Sequence, residues 1–147
     1  MTIYSHILLS LQFSTADDAV AAKAQAICQQ HAARLSLIHV LDNIPMPDTA
    51  YGTAINLDQP TDDLLLAAEK AKLLAWGKRL GVATENLWLI WGIPNQEITR
   101  IAKQENIDLI IVGSHERHGL VWLLGSTADG VLHHAPCDVL AVRLVED

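Results

Sequence analysis

Asp108-Leu109-Ile110-Ile111-Val112-Gly113 is a short apolar run closed by a glycine. A strand with one wet face alternates apolar and polar residues. A strand covered on both faces is apolar throughout, as in a parallel sheet packed between helices. Ile7-Leu8-Leu9-Ser10-Leu11 has the same character, and so do Ser36–Leu41, Leu87–Trp91 and Val139–Leu144. Five buried strands are therefore expected, with Gly113 ending the fourth.

The intervals between them read as helices. Ser14 and Thr15 offer N-caps, and Asp17 and Asp18 follow in the first turn, where carboxylates favour the positive end of a helix. Val20, Ala21, Ala24, Ile27, Cys28 and His31 recur at helical spacing, which predicts a helix over 16–33. Thr61, backed by Asp62 and Asp63, opens a second helix to about Arg79, with Gly81 at its C-terminal cap. Gly92 and Pro94 turn the chain into a helix over 95–104. Residues 114–125 read as a loop, and Ser126 caps a helix that ends before Pro136. Strands alternating with helices imply right-handed crossovers and an α/β fold: one doubly wound domain, a five-stranded parallel sheet and helices on both faces. Ligands of such sheets bind beyond the C-terminal ends of the strands. The segments after strands one, two and four are therefore the ones to search.

Composition limits the function. The chain has 147 residues, 50% of them hydrophobic and 18% charged, which suits one packed domain and argues against disorder. A net charge of −7 with no basic patch argues against nucleic acid as a partner. Cys28 and Cys137 form no CxxC and read as buried free thiols of a reducing compartment. Met1–His6 carries neither the basic start nor the cleavage site of a signal peptide, and no apolar run reaches the ~18 residues of a membrane span. A cytoplasmic protein without a membrane partner is expected. Residues 42–60, with Pro45, Pro47, Gly52 and Pro60, form the longest irregular stretch, and such loops are often functional.

The richest segment is Gly113-Ser-His-Glu-Arg-His-Gly-Leu-Val-Trp-Leu-Leu-Gly125-Ser126-Thr127. It runs from a strand end to a helix start. Glycines permit close approach, and the free amides at Gly125, Ser126 and Thr127 make an anion cradle. A glycine turn followed by an ordinary serine cap is the plainer alternative. His115 and His118 do not converge with His133 and His134, because the helix between them is roughly 13 Å long. No metal site is expected. His39, near the end of strand two, is a hydrogen-bonded core residue or part of the pocket lining. Trp88 and Trp91 face opposite sides of the third strand. Trp122 reads as buried or as part of a partner surface. There is no Gly-x-Ser-x-Gly elbow around Ser114 and no Walker lysine.

The stretches Ile7–Ser14, Ser36–Asp42, Gly92-Ile93-Pro94, Asp108–His115 and Gly125-Ser126 through Arg143 resemble the universal stress protein family over nearly the whole chain. Ala135-Pro-Cys-Asp-Val-Leu-Ala-Val-Arg143 is particularly close to the family's last strand. The resemblance implies strand order 3-2-1-4-5 and an adenine-nucleotide site, ATP foremost, built from Gln12, Val40, Val112, Gly113, His115, Arg117, Gly125, Ser126 and Thr127. The family's nucleotide-binding members carry Gly-x2-Gly-x9-Gly-Ser/Thr. This chain has Gly113-x2-Glu116-x8-Gly125-Ser126, one residue shorter, with glutamate for the second glycine. Gln12 stands where those members place an aspartate. The shorter loop resembles the UspA-type branch, some members of which do not bind ATP. A carboxylate ~4 Å from a phosphate opposes binding by about 1–4 kcal/mol, and Arg117 can offset this by pairing with phosphate. A smaller anion at the Gly125, Ser126 and Thr127 amides is an equal candidate. Family members dimerise through the last strand, which implies a homodimer through Asp138 to Leu144. A binding or regulatory module, or an interaction protein with an empty pocket, stands ahead of a weak ATPase, because no nucleophile, general base or metal set is evident.

Overall fold

Alternation along each strand decides which side chains meet which helices. The computed structural model describes residues 3–42, 52–115 and 126–144. Strand β1 (His6–Ser10) is buried along its whole length. Its Ile7 and Leu9 face one layer together with Leu37, Leu41, Leu89 and Ile111, beneath α1 (Asp17–His31) and α2 (Leu64–Leu80). Its Leu8 faces the other with Ile38, Val40, Ile110 and Val112, beneath α3 (Pro94–Gln104) and α4 (Ser126–His134). Both faces are covered, so the strands carry no polar alternation.

The remaining strands are β2 (Arg34–Leu41), β3 (Leu87–Trp91), β4 (Leu109–His115) and β5 (Asp138–Leu144). They form one parallel sheet in the order β3-β2-β1-β4-β5. Trp91 packs on the α1/α2 side and Trp88 on the α3/α4 side, as their odd spacing requires. At the start of β1 the carboxylate of Asp108 accepts from the amides of Ser5 and His6 and so ties β1 to β4. His6 is buried there. Burial, and then the Arg34 guanidinium 2.9 Å from Nδ1, push its pKa below the ordinary imidazole value.

Several boundaries differ from the sequence reading, each for a local reason. Strand β4 does not stop at Gly113. It pairs on with β5 through Gly113–Val142, Ser114–Arg143 and His115–Leu144. Neither Ser14 nor Thr15 caps α1: Ala16 holds the cap position without a side-chain bond, and Asp17 turns its carboxylate back to the preceding loop. Helix α2 starts at Leu64 rather than Thr61, because Asp63 is the residue that accepts from the amides of Leu65 and Leu66. Gly81 closes it with φ +70°, where glycine escapes the Cβ clash. A short 3-10 turn, Thr84–Asn86, precedes β3.

The stretch from Gly52 to Ile55 lies along the outer edge of β3. Gly52 N donates to Trp91 O at 2.7 Å, Trp91 N to Thr53 O at 3.4 Å and Ile55 N to Leu89 O at 2.8 Å. Arg100 fastens this stretch to α3 by donating to the Gly52 carbonyl while pairing with Glu97. One sheet edge is thus covered, whereas no described strand pairs with the outer side of β5. Among the described residues no helix is long and apolar enough to cross a membrane.

Candidate functional site

The chain leaves β1 toward one face of the sheet and leaves its neighbour β4 toward the other. A crevice therefore opens between their C-terminal ends. A cavity of about 320 Å³ occupies it. Ser10, Leu11 and Gln12 form one wall, and His39, Val40 and Asp42 a second. Pro94 and Ile98 from α3, Gly113 from β4, and Ser126, Thr127 and Ala128 from α4 complete it.

The β1 wall is held by Asp17. Its buried carboxylate accepts from Gln12 N at 3.1 Å and Phe13 N at 2.8 Å. Phe13 has φ +57°, a left-handed conformation that costs a residue with a Cβ about 1–2 kcal/mol. The two charge-assisted bonds offset that strain. Burial pushes the Asp17 carboxyl above the ordinary aspartate range, and the amides of Gln12 and Phe13 pull it back.

His39 joins the two walls. Its Nδ1 donates to the Leu11 carbonyl at 2.7 Å, its Nε2 lies 3.5 Å from Glu69 Oε2, and its ring stacks on Phe13 with centroids 3.8 Å apart. Both readings of His39 therefore apply: it is hydrogen-bonded in a largely buried setting, and it lines the cavity. Burial lowers its pKa, while the Leu11 carbonyl, Glu69, Asp17 and Asp42 draw it back up.

Helix α4 supplies the remaining wall. Its first amides have no partner within the helix, and Ser126 and Thr127, which begin it, line the cavity. Gly130 sets how closely α4 approaches α3, with Asn95 of α3 packed where a side chain would begin.

Of the residues expected from sequence, Gln12, Val40, Gly113, Ser126 and Thr127 meet around this cavity. Val112 does not line it: it is fully buried in the α3/α4 layer, one residue short of the crevice. His115 ends β4, while Arg117 and Gly125 lie outside the described residues, as do Glu116 and Trp122. Ser114 is buried, and its hydroxyl has no hydrogen-bond partner among the described residues. Ser10, Leu11, Asp42, Pro94, Ile98 and Ala128 were missed. The strand-end rule marks the first three, and the Gly92-Ile93-Pro94 turn marks Pro94. Ile98 and Ala128 give no signal, because an apolar residue near a helix start looks the same whether it meets core or cavity. Among the described residues no group of His, Cys, Asp and Glu side chains is placed to hold a metal ion.

A sequence model of the universal stress protein family matches residues 3–143. The chain belongs to the universal stress protein family. Universal stress protein A homolog 2 of Coxiella burnetii is 37% identical over 145 residues, 98% of each chain. The solved universal stress protein UspA of Lactobacillus plantarum superposes with a TM-score of 0.63 at 28% identity, over 95% of this chain and 98% of that one. A universal stress protein solved in complex with cAMP shares the fold, with a TM-score of 0.58 at 19% identity over 95% of this chain and 96% of that one.

Proposed function

We propose that this universal stress protein is a dimeric stress-response or regulatory module whose cavity takes an adenine nucleotide or a small anion. The observation that carries the reading is the meeting of Gln12, Val40, Gly113, Ser126 and Thr127 around one 320 Å³ cavity at the strand ends. That volume lies at the lower end of the range for small-molecule sites. Leu11, Val40, Pro94 and Ile98 offer apolar walls to a planar base, and the start of α4 offers amides and hydroxyls to a phosphate. The fold-mate solved with cAMP lends further support.

Titration calorimetry with ATP, with and without magnesium, tests the site. Ser126→Glu is the informative variant. It suits a helix start and so keeps α4 folded, yet it sets a carboxylate beside the bound phosphate and should weaken ATP at least about tenfold. Equal affinity in the variant, or no binding of ATP or inorganic phosphate at millimolar concentration, removes the reading.

The dimer is proposed through Asp138 to Leu144. Val139, Leu140 and Ala141 are only partly buried on a strand whose outer edge no described element covers. Ala141→Lys places a long stem at a half-buried position on the α3/α4 side of that strand, from which the ammonium must reach out to solvent, and should shift the protein from dimer to monomer in sedimentation velocity, with circular dichroism checking that the sheet is intact. A wild-type monomer, or a variant that stays dimeric, would remove this assignment.

A further inference from the structure

His39 has an arrangement that its neutral form does not satisfy. The Leu11 carbonyl can only accept, so the single hydrogen of a neutral ring resides on Nδ1. Nε2, which then has only a lone pair to offer, lies 3.5 Å from the carboxylate of Glu69, acceptor beside acceptor. An imidazolium would satisfy both contacts. The charged groups around the ring favour that form on balance. Glu69 approaches from α2, Asp17 from α1 and Asp42 from the end of β2. Among the described residues the opposing cation is Lys72, 3.3 Å from the other oxygen of Glu69 and 5.7 Å from the Phe13 ring centroid. What keeps the proton off is burial, since the side chain is only 12% exposed. The site is thus built for a cation and held neutral by desolvation.

The same cavity holds His39 at one wall and the helix-start donors Ser126 and Thr127 at another. We infer that His39 makes ligand binding in this cavity proton-linked: an anion seated beside Ser126 and Thr127 draws a solvent proton onto Nε2, and acidification strengthens the binding. The inference rests on the anion-binding reading of the cavity. Linkage is reciprocal, so whatever the anion does to the imidazole, the proton does to the anion. Only one proton moves, from solvent to the Nε2 lone pair, and Glu69 receives the new N–H.

cAMP is the suitable probe, because its phosphodiester keeps one negative charge throughout the range in which imidazole titrates. Wild-type protein should bind cAMP roughly three- to thirtyfold more tightly at about pH 5.5 than at about pH 7.5. The calorimetric heat should also vary with the ionisation enthalpy of the buffer, the mark of proton uptake. His39→Gln keeps a donor for the Leu11 carbonyl but takes no proton, and its affinity should not respond to pH. A flat wild-type response, or a response retained by His39→Gln, overturns the inference. If cAMP and ATP bind at neither pH, the adenine reading fails separately. Sulfate, whose charge is also constant, then replaces them, and absent or pH-independent sulfate binding overturns the proton linkage. In ligand-free protein the His39 ring resonances should titrate at lower pH in Glu69→Gln than in wild type. An unmoved midpoint removes Glu69 as the receiving group.

Discussion

Asp17→Ala is expected to destabilise the protein by about 2–4 kcal/mol, although Asp17 is a helix-start aspartate of a kind usually counted as a surface cap. The carboxylate is buried and accepts from two backbone amides, Gln12 N and Phe13 N. Its removal leaves both donors without a partner, at about 1–3 kcal/mol each. Part of this is returned because a desolvated charge disappears with it, the same burial that raises its pKa. Phe13 is then released from its φ of +57° and loses the orientation that stacks it on His39. The loss is therefore functional as well as structural, since Gln12 and His39 both line the cavity. Asp17→Asn keeps one acceptor oxygen and should lose about half as much. Urea unfolding of the three proteins checks the order. An Asp17→Ala variant within about 0.5 kcal/mol of wild type would mean that water replaces the carboxylate at both amides.

How far the sequence could reach is clearest at the ends of the strands. The continuous apolar runs announced all five strands, because burial on both faces removes the need for polar residues. The end of the apolar run, however, is not the end of β4. Gly113, Ser114 and His115 are small or polar residues of the kind that ends a strand, yet they stay in register because β5 runs alongside them. Pairing between distant segments, rather than local preference, set that boundary. The covering of the β3 edge by Gly52–Ile55 was invisible for a similar reason: it uses backbone groups, and a side chain that anchors it, Arg100, lies far along the chain. The two walls of the cavity fared differently. Gly113, Ser126 and Thr127 sit in a recognisable glycine-to-helix segment. The role of His39 depends on Leu11, Glu69 and Phe13, which come from three separate stretches. No spacing rule connects those residues, so the motif pointed to the α4 end of the cavity and left the His39 end unread.

Gly130→Ala reverses an ordinary expectation. Gly130 lies inside α4, where alanine is normally about 1 kcal/mol better than glycine. Here a Cβ would stand 2.6 Å from Asn95 Cγ and 2.7 Å from Asn95 Cβ. The second of these atoms is fixed to the backbone of α3 and cannot swing aside, so the helices themselves must separate. Overpacking of this kind costs about 1–3 kcal/mol and outweighs the gain in helix propensity, so a net loss of stability is expected. Separation also carries the first turn of α4 with it. Ser126 and Thr127 then leave their places on the cavity wall, and anion binding should weaken more than the unfolded fraction accounts for. The partner substitution isolates the cause. In an Asn95→Gly background the obstructing atoms are gone, and Gly130→Ala should become neutral or stabilising there. A double-mutant cycle by urea unfolding would then give a coupling between the two positions of about 1–3 kcal/mol. If Gly130→Ala stabilises the otherwise unaltered protein, α3 and α4 have slack between them, and close packing against Asn95 is not what fixes Ser126 and Thr127 on the cavity wall.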